Sequence, residues 1–221
     1  LLTINRGRCV KINHVKGNNF GWLFGGRHYD FFATILGFGN TYYNQVAEAL
    51  PLENRMSVLD LGCGTESVGI AISRQLGGDV EIHGLDLSGT QLDYAAIKSS
   101  KSGTSLNLYR GSMDLLPFTD ESFDLVVTSV AFCETTSEVR KGAIREVSRV
   151  LKDKSCFAIV DCAKPIMGLD TVMMLPFFMF KETAESWNNH YPDICRENNL
   201  ILENEIYIKS YVKCQLYRKA D

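Results

Sequence analysis

Two carboxylates and a pair of glycines set the chemistry that this chain can support. The run Val58-Leu59-Asp60-Leu61-Gly62-Cys63-Gly64-Thr65 reads as a buried strand that carries an acid near its end and then opens through two glycines into a helix. Glycine lets the backbone turn tightly and approach a ligand without a Cβ in the way. A second acid, Asp86, closes the run Glu81-Ile82-His83-Gly84-Leu85-Asp86, 22 positions after Gly64 (64 to 86). In dinucleotide-type folds an acid at about that offset meets the vicinal hydroxyls of a ribose, and a carboxylate can accept hydrogen bonds from both. Taken singly, each feature has a structural explanation: a tight turn for the glycines, a helix cap for Asp86. In register, they describe a nucleoside site.

The glycine pattern discriminates between nucleoside cofactors. A nicotinamide-binding loop wants Gly-x-Gly-x-x-Gly with the pyrophosphate seated at the helix amino end. Here the sixth position is Ser67, and Asp60 would face the pyrophosphate unfavourably. S-adenosylmethionine carries no pyrophosphate, and its ammonium group suits an acid at a strand end. The residues therefore favour the sulfonium cofactor, with S-adenosylhomocysteine as its product. A catalytically inactive nucleoside-cofactor-binding protein and an NAD-dependent oxidoreductase stand as alternatives.

From about Met56 onward, short β-rich runs alternate with helical segments, the pattern of a parallel sheet with crossover helices. Strands are expected at Met56–Leu61, Val80–Asp86, Leu106–Arg110, Phe123–Val130 and Cys156–Asp161. These are nearly continuous apolar runs, as strands covered on both faces require. Ser88, with Gln91 three residues on, predicts a capped helix over Gln91–Lys98. Thr136 or Ser137 caps another running to about Leu151, whose Val139, Ala143, Val147 and Val150 form one apolar stripe for the core. Ile201–Ile208 and Tyr211–Tyr217, a couple of polar residues apart, predict an antiparallel hairpin.

Bulk properties narrow the partners. A chain of 221 residues suits one domain with a substantial core. A net charge of −3, with no block of like charges, argues against nucleic acid. The seven cysteines form no Cys-x-x-Cys pair and fit free thiols of a reducing compartment better than a disulfide framework. No closely spaced Cys or His set is present, so no metal is expected. The apolar stretch Ile166–Phe180 is broken by Asp170 and Pro176 and falls short of the roughly 20 residues of a transmembrane segment. Leu1–Gly21 lacks the apolar core of a signal sequence. The expectation is a cytoplasmic protein, monomer or homodimer, acting on a small-molecule acceptor.

Between roughly Tyr29 and Asp161 the chain resembles the class I S-adenosylmethionine-dependent methyltransferases, particularly the group of ubiquinone and menaquinone biosynthesis. Five blocks in order carry the likeness: Tyr29-Asp30, the Leu-Asp-Leu-Gly-Cys-Gly-Thr run ending at Thr65, Gly84–Ser88, Gly111–Phe118 and Ser122–Val127; Arg145–Lys152 then matches the helix before the fifth strand. The resemblance implies an α/β fold with a Rossmann-like, seven-stranded, mostly parallel sheet, an antiparallel C-terminal hairpin and helices on both faces. Residues 1–50 are expected to be a helical arm or lid and 51–221 the methyltransferase domain, with 163–199 as a substrate lid whose Met- and Phe-rich stretch 167–180 has a core helix or a subunit interface as its alternative reading.

By the same resemblance, Asp60, Gly62, Gly64 and Thr65 would line the methionine end, and Asp86 would hold the ribose. Ser112 and Met113 would flank the adenine, Ser129 would face the cofactor, and Tyr29 would either cover it or pack a helix on the sheet. His28, Glu134 and His190 are the candidates for a general base, each with packing or solvent exposure as the alternative reading. Two departures stand out. Glu66 replaces the family's usual glycine, where its carboxylate would repel that of the cofactor unless it turns away or finds a cation, and a favourable interaction with the helix amino end offers a benign explanation. Ser112 stands where many relatives carry an acid.

Overall fold

Parallel pairing begins where the sequence turns β-rich. The computed structural model describes Thr34 and residues 37–166 and 191–220. In it β1 (Ser57–Leu61) lies parallel between β2 (Glu81–Asp86) and β4 (Phe123–Ser129). Outward from β2 comes β3 (Leu106–Arg110), and outward from β4 comes β5 (Leu151–Cys162), both parallel. The hairpin of β6 (Leu200–Lys209) and β7 (Val212–Lys219) completes the sheet, with β7 antiparallel to β5. The strand order is β3-β2-β1-β4-β5-β7-β6, the Rossmann-like sheet expected. The chain steps outward from β1 to β3, then crosses to the other side of β1 as β4. Such a reversal opens a crevice beyond the carboxyl ends of the strands, where open α/β sheets bind ligands.

Successive strand residues point to opposite faces, and both faces are covered. Val58 packs with Val46 of α1 (Asn40–Glu48) and Ile72 of α2 (Ser67–Gln75). Its neighbours Leu59 and Leu61 pack on the other face with Ala143 and Val147 of α4 (Ser137–Val150). Between α2 and α4 in the chain, α3 (Gly89–Ser102) packs on β2 and β3. It starts at Ser88, whose hydroxyl accepts from the Gln91 amide at 3.4 Å. Thr136 caps α4 in the same way.

The expected stretch 163–199 divides. Its residues 191–197 form α5 (Tyr191–Glu197), whose Tyr191 and Cys195 are buried in the core on the α4 side. Residues 167–190, with the Met- and Phe-rich run and His190, lie outside the described residues, as do His28 and Tyr29. Strand β5 starts five residues earlier than its apolar signal, because Lys152-Asp153-Lys154-Ser155 extend it without hydrophobic alternation. Among the described residues, no helix is long and apolar enough to cross a membrane.

Candidate active site

The turn after β1 needs its glycines. Gly62 has φ +76 and Gly64 φ +52, the left-handed region that disfavours a side chain. A Cβ on Gly62 would also lie 2.6 Å from Ala131 Cβ, whereas a Cβ on Gly64 would meet nothing within 4 Å. The backbone therefore presents an open face at Gly64. The amides of Gly62 and Cys63 donate to the Leu85 carbonyl at 2.8 and 3.1 Å, tying the turn to β2.

Asp86 completes that tie. Its Oδ2 accepts from the Gly64 amide at 2.8 Å and its Oδ1 from the Ser88 amide at 2.7 Å. A carboxylate has about four acceptor positions, so acceptor capacity remains on both oxygens for a ligand diol. Burial raises its pKa, opposed by these amides. Asp60 is only 2% exposed. Burial, then the Asp86 charge, pushes it up to about 7, while the Gly69 amide pulls the other way.

Of the two readings of Glu66, the structure favours the one in which the side chain turns away. Its side chain makes no capping bond at the start of α2; it turns inward and is fully buried. Both carboxyl oxygens lack a hydrogen-bond partner and nest so closely on Gly69 and Gly84 that a methyl group at either would collide. Burial, then the Asp60 charge, holds this carboxyl well above the usual range. The residue has φ +59, a left-handed conformation in which glycine would be unstrained. Nearby, Lys98 Nζ donates to Thr65 Oγ1 at 3.0 Å and to Ser67 Oγ at 2.6 Å, so Thr65 is held from behind the turn.

Across the crevice, the loop after β3 brings Met113 over the turn, its Cε 3.3 Å from where a Gly62 Cβ would stand. The Ser112 hydroxyl donates to the Asp114 carboxylate. With its proton so committed, Ser112 keeps its lone pairs for an amino group. Asp114 thus orients the Ser112 hydroxyl.

The ends of β4 and β5 supply the remaining wall. Val130 has φ +53, uncommon for a β-branched residue and costing about 1–3 kcal/mol; its amide donates to the Val160 carbonyl at 2.8 Å. The sharp turn leads to Ala131, which packs on Gly62, and to Glu134. Burial, then the charges of Asp161 and Asp86, pushes Glu134 up to about 8. Ser129 shares a 3.0 Å hydrogen bond with Tyr42 of α1, so its hydroxyl is engaged by that helix.

Asp161, 3% exposed, accepts from the Tyr191 hydroxyl at 2.8 Å and from the Cys162 amide at 2.8 Å. Asp161, Tyr42 and Tyr191 were not singled out from the sequence, although one signal was present. Asp60, Asp86 and Asp161 each stand at or next to the carboxyl end of a parallel strand. Cys133, Asp161 and Cys162 also come together, a grouping that spacing along the chain does not reveal.

Comparison with known proteins agrees with this geometry. Residues 58–154 match the methyltransferase domain family. A demethylmenaquinone methyltransferase of Lactobacillus johnsonii is 29% identical over 142 residues, 62% of this chain and 57% of that protein. An uncharacterised methyltransferase of Synechocystis is 36% identical over 143 residues, 62% of this chain and 64% of that protein. The chain thus spans less than two-thirds of either relative. A solved S-adenosylmethionine-dependent methyltransferase of Aquifex aeolicus is 18% identical with a TM-score of 0.63, covering 80% of this chain and 89% of that one. Residues 58–154 thus carry a methyltransferase domain, the chain shares the fold of solved S-adenosylmethionine-dependent methyltransferases, and in sequence it resembles the demethylmenaquinone methyltransferases.

Proposed function

We propose that the chain transfers a methyl group from S-adenosylmethionine to a small hydroxylated aromatic acceptor of the quinol class. The observation that carries the cofactor part is the bracket of Asp86 and Gly64 beside the buried Asp60, with open space over the turn. These residues fit the cofactor. Asp86 has acceptor capacity for the ribose diol, Asp60 offers a carboxyl for the methionine ammonium, and Ser112 can accept from the adenine amino group.

When bound, the cofactor supplies an electrophilic methyl on a sulfonium. What remains for the protein is orientation and exclusion of water, because an in-line displacement gains most from a fixed near-attack geometry. Glu134 stands on the wall formed by the β4 and β5 ends, and we assign it the proton of an acceptor hydroxyl. The quinol class is supported by the relatives named demethylmenaquinone methyltransferase.

The test is a calorimetric titration with S-adenosylhomocysteine, followed by incubation with S-adenosylmethionine and a panel of reduced naphthoquinols and phenols, read by mass spectrometry. Asp86→Ala is expected to weaken nucleoside binding at least about tenfold, the loss of a charge-assisted hydrogen bond. Unchanged affinity in Asp86→Ala overturns the site. Tight binding with no methylated product from any panel member overturns the acceptor class.

A further inference from the structure

Folding gathers two thiols and a carboxylate where the sequence showed no ligand spacing. Cys133 comes from the short 3-10 turn Phe132–Glu134, and Asp161 and Cys162 come from the end of β5. One donor atom from each lies within 4.8 Å of the others. Around a tetrahedral zinc ion, with Zn–S about 2.3 Å and Zn–O about 2.0–2.2 Å, such donors stand roughly 3.3–3.8 Å apart. At most about 1–1.5 Å of adjustment per donor pair separates this grouping from a coordination sphere. We propose that Cys133, Asp161 and Cys162 bind one thiophilic divalent cation of the zinc class.

The donor chemistry selects the ion. Two sulfurs disfavour calcium and magnesium, which want oxygen, while one carboxylate with two thiolates suits a borderline-soft divalent ion. Three protein ligands leave a fourth position for water or for an acceptor oxygen, the pattern of an open rather than a closed zinc site. On binding, the two thiols lose their protons to solvent. Two thiolates and a carboxylate carry −3, the ion +2, and the buried Arg140 guanidinium, which acts on Asp161, brings the cluster to neutrality.

The surroundings hold the ligands in place. Arg140 Nη1 donates to the Phe132 and Thr135 carbonyls at 3.0 and 2.5 Å, clamping the turn that carries Cys133. The Tyr191 hydroxyl fixes one oxygen of Asp161, the kind of outer hydrogen bond that orients metal-ligating carboxylates. Cys133 and Asp161 are buried and Cys162 is partly exposed, which gives an ion its way in. This inference stands whether or not the methyl acceptor is a quinol.

The experiment uses the whole chain, reduced and stripped with a chelator. Cobalt(II) is expected to give a thiolate charge-transfer band, and native mass spectrometry one zinc per chain. Cys133→Ser and Cys162→Ser should each weaken binding at least about tenfold, while Cys156→Ser binds as the parent does. In the unaltered protein, zinc should slow alkylation of Cys133 and Cys162 and leave Cys156 unaffected, a readout that needs no variant to fold. The proposal is overturned by the absence of a thiolate–cobalt band, by unchanged affinity in both serine variants, or by alkylation indifferent to zinc. A pair that only forms a disulfide under oxidant, without binding the ion, overturns it equally.

Discussion

Asp60 is a carboxyl among its own kind: the Asp86 charge raises its pKa, and Asp60 in turn raises that of Glu66. With a free-state pKa raised to about 7, it is half protonated near neutral pH. A cationic ligand favours the ionised form, so binding lowers this pKa and expels a proton. The sign follows: affinity for S-adenosylmethionine rises with pH up to about 7 and levels off above it, by at most about tenfold per pH unit. Calorimetry between pH 5.5 and 8.5 should show this rise, and Asp60→Asn should flatten it. A flat profile in the parent protein rules out the coupling. Asp60 and Asp86 were legible in the sequence because each interrupts an apolar run at a strand end. The fate of Glu66 was not, since substitution of a glycine shows only that a side chain is present and not that it turns into the interior.

At the scale of elements, one residue fastens the loop between β3 and β4 to α4. Arg149 of α4 donates to the Phe118 carbonyl at 2.8 Å, the Leu116 carbonyl at 3.3 Å and the Asp120 carboxylate at 2.8 Å, while pairing with Glu146. Glu146 in turn accepts from the Leu116 amide at 2.8 Å. Arg149→Ala leaves these groups without their donor and should cost about 1–3 kcal/mol, toward the lower end because the guanidinium is partly solvated. Arg149→Lys should recover little, as a single ammonium cannot reproduce the fork. Urea denaturation of the three proteins checks this, and an alanine variant as stable as the parent would refute it. The sequence revealed α4 and the final hairpin through periodicity and turn residues. It concealed the first part of β5, whose polar Lys152–Ser155 carry no strand signal, and the Cys133–Asp161–Cys162 grouping, which exists only once β4 and β5 lie side by side.

For the molecule as a whole, the reversal of strand order at β1 is what brings acids from separate strands to one crevice. No single strand could hold a nucleoside, so the site exists only in the folded sheet, and a ligand that fits it must stabilise the entire fold. At a concentration of about 100 times its dissociation constant, a ligand bound only by the native state adds about 2.7 kcal/mol. For a chain of this size each kcal/mol raises Tm by about 2–4 °C, so S-adenosylhomocysteine should raise it by about 5–10 °C. NAD should leave Tm unchanged, because the turn at Gly62 and Gly64 has Asp60 where a pyrophosphate would need amides. Differential scanning fluorimetry separates the two ligands directly. A shift with NAD and none with the homocysteine nucleoside would reverse the choice of cofactor and, with it, the reading of the Asp60 and Asp86 carboxyls.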